Sequence, residues 1–202
     1  VDAAVESFQK ALTVNPDYAG AHNNLGIALH RLEQVGDAVE CYEKATAIQP
    51  DYAEAHNNLG NAYKELGQLD DSVKCYKKAL TLKPDYTRAH NNLGIAFKQL
   101  GQLDDAVECY EKATAIQPDY AEAHNNLGNA YKELGQLDDA VKSYEKALDL
   151  NPDYAYAHNN LGNAFKELGQ LDDAVKSYEK ALDLKPDFIG AQNNLSNAKA
   201  LK

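Results

Sequence analysis

A 34-residue unit repeats in phase along the whole chain, with no spacer between copies. The pentad His-Asn-Asn-Leu-Gly recurs at this interval from His22 to His158, and proline marks the same period. The repeated prolines are Pro16, Pro50, Pro84, Pro118, Pro152 and Pro186. A period of this length is typical of a solenoid, in which each repeat buries its apolar face against its neighbours. Such a fold offers a long repeated surface for binding.

Each repeat reads as two amphipathic helices. In the unit 51–84, Asp51 is expected to cap the first helix, and Gly67 to end it in a left-handed conformation. The second helix follows and stops at the next proline. Apolar residues recur at helical spacing in both segments. The recurring glycine at Gly60 and the recurring tyrosine at Tyr76 are predicted to be packing positions between the two helices rather than parts of a ligand site.

The order of these residues resembles the tetratricopeptide repeat. Leu-Gly is followed by an aromatic residue three positions after the glycine, then by a small residue, a second aromatic residue, alanine and proline. The resemblance covers essentially the whole chain, and it implies an all-α, right-handed superhelical solenoid of antiparallel helix pairs. One departure recurs, because histidine, as at His56, stands where the family often has tryptophan.

The phase of the repeats predicts the organisation of the chain as one array over 1–202. The predicted segments are a second helix of a truncated repeat at 1–16, full repeats at 17–50, 51–84, 85–118, 119–152 and 153–186, and a C-terminal capping helix at 187–202. Ser196 replaces the packing glycine in the last helix, which favours a solvated cap. Glu33 replaces the turn glycine of the first full repeat, so this turn is expected to be the least regular.

Charge and cysteine usage restrict the partners and the compartment. The net charge of -11 would repel nucleic acid and anionic membranes, and no apolar run approaches the length of a membrane span. Cys41, Cys75 and Cys109 occupy one position in three successive repeats, and residues so placed should lie too far apart to form a disulfide. Reduced thiols predict a reducing, cytoplasmic compartment.

The asparagines are the strongest candidates for a binding site. Each first helix carries an Asn-Asn pair, and a third asparagine often follows three residues after the second. Asparagine is a poor helix former, and its carboxamide can both donate to and accept from one extended peptide unit. One carboxamide per repeat would therefore recognise peptide backbone. The alternative is that these amides are solvated, or link neighbouring helices, and were copied when repeats duplicated.

The pattern also resembles the asparagine ladder of O-linked N-acetylglucosamine transferases, which lines the inner groove of the superhelix. That resemblance assigns peptide binding to the second asparagine of each pair. These residues are Asn24, Asn58, Asn92, Asn126, Asn160 and Asn194, with Asn61, Asn129 and Asn163 as the third asparagines. Basic residues on the same face are candidates for contacts with ligand carboxylates. They are Lys64, Lys98, Lys132 and Lys166.

No combination of residues predicts catalysis, a cofactor or a metal site, since the repeated histidines stand one per repeat. The sequence favours a non-enzymatic scaffold that binds a protein or peptide in its concave groove. Two alternatives stay open. The chain could be the substrate-selecting arm of a larger enzyme such as a glycosyltransferase, or it could self-associate end to end through the apolar edge formed by Ala4, Phe8 and Ala11.

Overall fold

The computed structural model describes residues 2–202, which form twelve α-helices and no strand. Their contacts divide the chain into two compact units, Val1–Gly101 and Gln102–Lys202. The helices of the first unit are α1 Asp2–Val14, α2 Ala19–His30, α3 Val35–Ile48, α4 Ala53–Glu65, α5 Leu69–Leu82 and α6 Thr87–Gln99. Those of the second unit are α7 Leu103–Ile116, α8 Ala121–Glu133, α9 Leu137–Leu150, α10 Ala155–Glu167, α11 Leu171–Leu184 and α12 Ile189–Ala200.

Within each unit every helix packs on the next one along the chain. First helices of successive repeats also touch directly, since α2 contacts α4 and α4 contacts α6, while α8 contacts α10 and α10 contacts α12. This arrangement confirms the all-α prediction and the two-helix repeat. Extension of the repeats into one array over residues 1–202 stays a prediction.

The two helices of a repeat meet at the predicted glycine and tyrosine positions. A Cβ atom added to Gly60 would lie 2.7 Å from Cε1 of Tyr76, so any larger residue in α4 would displace the ring in α5. Tyr76 is completely buried, and the tyrosines at the corresponding positions of the other repeats expose at most 2% of their surface. The other core tyrosines are Tyr42, Tyr110, Tyr144 and Tyr178. Their burial confirms that these rings fill the core.

The turn between the two helices takes the predicted left-handed conformation. Gly67 has φ of +75°, and its N–H donates to the carbonyl of Lys64 at 3.0 Å. In the first full repeat Glu33 adopts the same region with φ of +62° and donates to the carbonyl of His30 at 3.0 Å. Helix α2 ends at His30, whereas α4 ends at Glu65, which corresponds to Arg31. The first full repeat therefore enters its turn one residue earlier than the next repeat does.

The predicted capping role of Asp51 is wrong. Helix α4 begins at Ala53, the capping position is held by Tyr52, and no side chain caps the helix. Pro50 and Asp51 form a turn ahead of the helix, which leaves the carboxylate too early in the chain to reach the first amides. A different polar contact fixes this junction, because Nε2 of His56 donates to the carbonyl of Pro50 at 3.0 Å.

The same contact recurs at the start of each first helix. Nε2 of the histidine donates to the carbonyl of the proline six residues earlier, over 2.8 to 3.0 Å, in the pairs His22–Pro16, His90–Pro84, His124–Pro118 and His158–Pro152. In α12 the amide of Gln192 makes the equivalent bond to Pro186 at 2.8 Å. Histidine in the place of the family's tryptophan therefore ties each first helix to the loop before it.

Candidate functional site

The asparagine pairs lie on the first helix of every repeat, and the two members of a pair differ in their environment. The first asparagine is buried in five of these helices, with Asn23 exposing 1% of its surface. The buried set is Asn23, Asn57, Asn91, Asn125 and Asn159. The second asparagine is half-buried except in α2, where Asn24 is exposed. The predicted ladder residues therefore line an accessible face above a layer of buried amides.

Hydrogen bonds join these two rows from one repeat to the next. In the first unit, Nδ2 of Asn58 donates to Oδ1 of Asn23 at 3.0 Å, and Nδ2 of Asn92 donates to Oδ1 of Asn57 at 3.2 Å. In the second unit the bonds are Asn160 to Asn125 at 3.1 Å and Asn194 to Asn159 at 3.0 Å. We call each such bond a rung. Rungs hold the second carboxamides in one orientation and also link neighbouring first helices.

A rung uses only part of the hydrogen-bonding capacity of its donor. The carboxamide of Asn58 has two N–H donors and an accepting oxygen, and the rung occupies one N–H. Its buried partner is used more fully, because Asn23 accepts the rung through Oδ1 and donates from Nδ2 to the hydroxyl of Tyr52 at 3.4 Å. Asn58 thus keeps one N–H and its oxygen for another molecule, and Asn92, Asn160 and Asn194 donate the same single bond.

The third asparagines form a contact with the core that was not predicted from the sequence. Oδ1 of Asn61 accepts a hydrogen bond from the hydroxyl of the core residue Tyr76 at 2.7 Å. The equivalent bonds, both 2.8 Å, join Tyr144 to Asn129 and Tyr178 to Asn163. The sequence held one indication of this contact. Isoleucine replaces the third asparagine in two repeats, at Ile27 and Ile95, so this position can be apolar and lies close to the core. Peptide binding by the third asparagines stays a prediction, and only their Nδ2 groups would be available for it.

The candidate lysines lie at the last turn of each first helix and are half-buried. Nζ of Lys132 lies 3.6 Å from Oε1 of Glu167 in the next repeat. Nε2 of His30, at the corresponding position of α2, lies 2.6 Å from Oε2 of Glu65. Lys166 instead lines an open cavity of about 570 Å³ beside Asn197 and Leu201. Contacts within the protein therefore compete with a ligand for at least part of this row, and peptide binding by the lysines stays a prediction.

The apolar edge predicted for self-association lies on α1. Ala4 is exposed, while Phe8 and Ala11 are half-buried. Ala4 and Phe8 line a cavity of about 400 Å³ together with Asn24 and Ile27 of α2. Self-association through these residues stays a prediction.

Cys41, Cys75 and Cys109 are thiols rather than disulfides, and Cys41 and Cys109 are buried. Burial raises the pKa of Cys75 to about 11, helped by the carboxylates of Asp71 and Glu43. Burial also raises the pKa of Cys41. A thiol that stays protonated at neutral pH is a weak nucleophile, so these side chains suit packing better than covalent chemistry.

Neither a metal-binding cluster nor a membrane-spanning helix occurs in the part of the chain that the structure describes. Among residues 2–202, no three His, Cys, Asp or Glu side chains come together in a way that could hold a metal ion. No helix in that range is long and apolar enough to cross a membrane.

Family models match the chain over residues 1–188. The model described as TPR repeat matches residues 1–33, 29–67, 60–101, 96–135 and 128–169, and the tetratricopeptide repeat model matches 155–188. The chain belongs to the tetratricopeptide repeat (TPR) family. The function that TPR proteins share is protein–protein interaction, and they are generally non-catalytic scaffolds. The hydrogen-bonded asparagines give this TPR chain the asparagine ladder that its sequence indicated.

Solved structures of TPR proteins share the fold. YrrB, described as a TPR protein with an unusual peptide-binding site, is 24% identical with a TM-score of 0.75, over 94% of this chain and 97% of YrrB. MamA is 28% identical with a TM-score of 0.74, over 80% of this chain and 95% of MamA. A thermophilic TPR protein of Thermus thermophilus is 25% identical with a TM-score of 0.69, over 91% and 100% of the two chains. No curated protein matches the sequence.

Proposed function

We propose that this TPR chain is a non-enzymatic scaffold that binds extended peptide segments of partner proteins along the row of second asparagines. The observation that carries the proposal is the set of rungs. Each rung fixes a half-buried carboxamide while leaving it one N–H and one oxygen, as at Asn58 and Asn160. These two groups complement the C=O and N–H of a peptide unit, so the row would recognise backbone rather than sequence.

Preorganisation strengthens this argument. A free asparagine side chain on a helix loses rotamer freedom when it binds, and that loss reduces affinity. The rungs have already ordered these side chains against the buried row, so a ligand would meet donors and acceptors that are in place. Binding would therefore need less ordering of the protein than at a face of mobile polar residues.

The comparison with YrrB and the charge of the chain favour the same class of ligand. YrrB shares the fold and is described as having a peptide-binding site, although at 24% identity its own site residues do not transfer. The net charge of -11 disfavours nucleic acid and anionic membranes as partners. Free thiols with raised pKa values fit a reducing compartment such as the cytoplasm.

The test is binding of immobilised protein to a library of random extended peptides. Asn24→Ala is the variant that leaves every rung intact, because Asn24 is exposed and forms no rung, so its loss should not affect folding. We expect retention of peptides to fall by about fivefold, the effect of losing one or two neutral hydrogen bonds, with an unchanged melting temperature. The triple variant Asn58→Ala, Asn92→Ala, Asn160→Ala should lose most binding and some stability, since it also removes rungs.

The matched control is Asn193→Ala. Asn193 is the first asparagine of its pair in α12, is exposed and accepts no rung. Its replacement should change neither stability nor binding. Wild-type binding by a folded triple variant would show that the rungs only join helices and that the ladder is not the site.

A further inference from the structure

A small pocket in the first unit differs from its counterparts in other repeats. It lies between α2, α3 and α4, has a volume of about 240 Å³, and is lined by Ile27, His30, Arg31, Tyr42 and Asn58. Asn58 is one of the ladder asparagines, so the pocket opens beside the row proposed to bind peptide backbone. A side chain of a bound peptide could enter it while the backbone stays on the ladder.

The hydroxyl of Tyr42 is a hydrogen-bond donor without a partner. Tyr42 exposes only 2% of its surface, and its hydroxyl makes no hydrogen bond within residues 2–202. The reason is Ile27, which stands where Asn61 accepts the hydroxyl of Tyr76 in the next repeat. Among the described residues, the fully buried polar atoms without a partner belong to His22, Ser72 and His90, so the Tyr42 hydroxyl lies at the wall of the pocket, where it can donate to an acceptor of a ligand.

Arg31 reverses the charge at its position of the repeat. The corresponding residues are Glu65, Gln99, Glu133 and Glu167. Arg31 is exposed and forms no ion pair within residues 2–202, in contrast to the neighbouring His30, which contacts Glu65 at 2.6 Å. Glu65 of α4 does not line the pocket, and its carboxylate contacts His30. The guanidinium of Arg31 is therefore available to a ligand.

We propose that this pocket is a subsite for an acidic side chain, Asp or Glu, of the extended peptide, an inference that rests on the proposed function. The ligand carboxylate would accept hydrogen bonds from the guanidinium of Arg31, from the hydroxyl of Tyr42 and from the second N–H of Asn58. Guanidinium groups suit carboxylates because they offer parallel donors together with positive charge.

The subsite would fix the position of a bound peptide along the row of asparagines, which recognition of the backbone alone does not do. Carboxylates stand at the position of Arg31 in three other repeats, Glu65, Glu133 and Glu167, and would repel an acidic ligand residue there. A peptide with one acidic residue is therefore held with that residue at the first full repeat. Neutral segments bind the ladder without a fixed position.

The test measures the preference of the protein between two pools of peptides. Both pools are random, lack Asp and Glu elsewhere, and carry one fixed central residue, Glu in one pool and Gln in the other. Wild-type protein should bind the Glu pool about tenfold more tightly, the effect of charge-assisted hydrogen bonds. Arg31→Gln should remove this preference and leave binding of the Gln pool unchanged. Tyr42→Phe should reduce the preference by about threefold, because one of several donors is lost.

Two matched variants separate the subsite from general effects. Tyr76→Phe removes a core hydroxyl that already binds Asn61, and Lys10→Gln removes an exposed positive charge from α1. Both should keep the wild-type preference for Glu. Equal binding of the two pools by wild-type protein, or a preference that survives Arg31→Gln, overturns the subsite while leaving the ladder intact. Failure of both pools to bind overturns the proposed function and the subsite together.

Discussion

Glu33 occupies a backbone conformation that suits glycine. Its φ of +62° lies in the left-handed region, where glycine stands in four other turns with φ of +75° to +77°. A side chain in this conformation destabilises the folded state by about 1–2 kcal/mol. Glycine avoids this cost, but it also increases the conformational entropy of the unfolded chain, which cancels part of the gain. We expect Glu33→Gly to raise the free energy of unfolding by about 0.5–1 kcal/mol in urea titrations followed by circular dichroism.

The reverse substitution in the same unit provides the comparison. Gly67→Glu places a side chain at φ of +75° and should destabilise the protein by a similar amount. A Cβ atom at Gly67 would meet no other atom within 4 Å, so backbone conformation alone is tested. A neutral or destabilising Glu33→Gly would mean that the glutamate side chain makes a compensating interaction at the end of α2.

At the scale of helices, tyrosine–asparagine bonds join the two helices of a repeat wherever the third asparagine is present. The hydroxyl of Tyr144 in α9 donates to Oδ1 of Asn129 in α8 at 2.8 Å. We expect Tyr144→Phe to lower the free energy of unfolding by about 1 kcal/mol, the typical contribution of a hydrogen bond. In an Asn129→Ile background, which copies the arrangement at Ile27, the same substitution should have almost no effect.

A double-mutant cycle in urea measures this coupling, which should be about 0.5–1.5 kcal/mol. Tyr42→Phe is the natural control, because its hydroxyl has no partner within the described residues and should be nearly neutral to remove. A coupling energy near zero between Tyr144 and Asn129 would contradict a stabilising role for the bond.

Sequence periodicity predicted most of the element structure. The helical spacing of apolar residues, which buries Leu59 and Ala62 in α4, the packing of Gly60 and the left-handed Gly67 all follow from local patterns, and all are confirmed. These features depend on helical spacing and on backbone conformations that few residues tolerate. They could therefore be read from one repeat without knowledge of its neighbours.

The partners of the asparagines could not be predicted in the same way. The rung between Asn58 and Asn23 joins residues that are 35 positions apart, and the bond between Tyr76 and Asn61 crosses two helices. Both bonds depend on how far apart the packed helices lie and how they are rotated about their axes. The repeat period does not define these quantities closely enough to show which side chains meet. The capping error at Asp51 has a similar origin, because the loop conformation before α4 decides whether a carboxylate can reach the helix.

At the scale of the whole molecule, five buried tyrosines couple stability to alkaline pH. They occur in both units, at Tyr42, Tyr76, Tyr110, Tyr144 and Tyr178. Burial raises the pKa of each hydroxyl, to about 12 for Tyr178, with nearby Glu167 adding to the effect there. The unfolded chain would release the same protons near pH ~10. Folding therefore keeps the phenols protonated at pH values where the unfolded chain ionises.

This difference fixes the sign of the pH dependence. Below about pH 10 both states hold the protons and the tyrosines contribute their full stability. Above it the unfolded state binds fewer protons, so stability should fall by about 1.4 kcal/mol per pH unit for each buried tyrosine, through a window reaching about pH 12 at Tyr178.

Tyrosinate absorbance should rise in two phases, the second coinciding with loss of helical circular dichroism. Tyr42→Phe should shift that second phase to higher pH without lowering stability at neutral pH. Complete ionisation of all 13 tyrosines with helicity retained would contradict the coupling, because the buried rings would then be losing their protons inside a folded core.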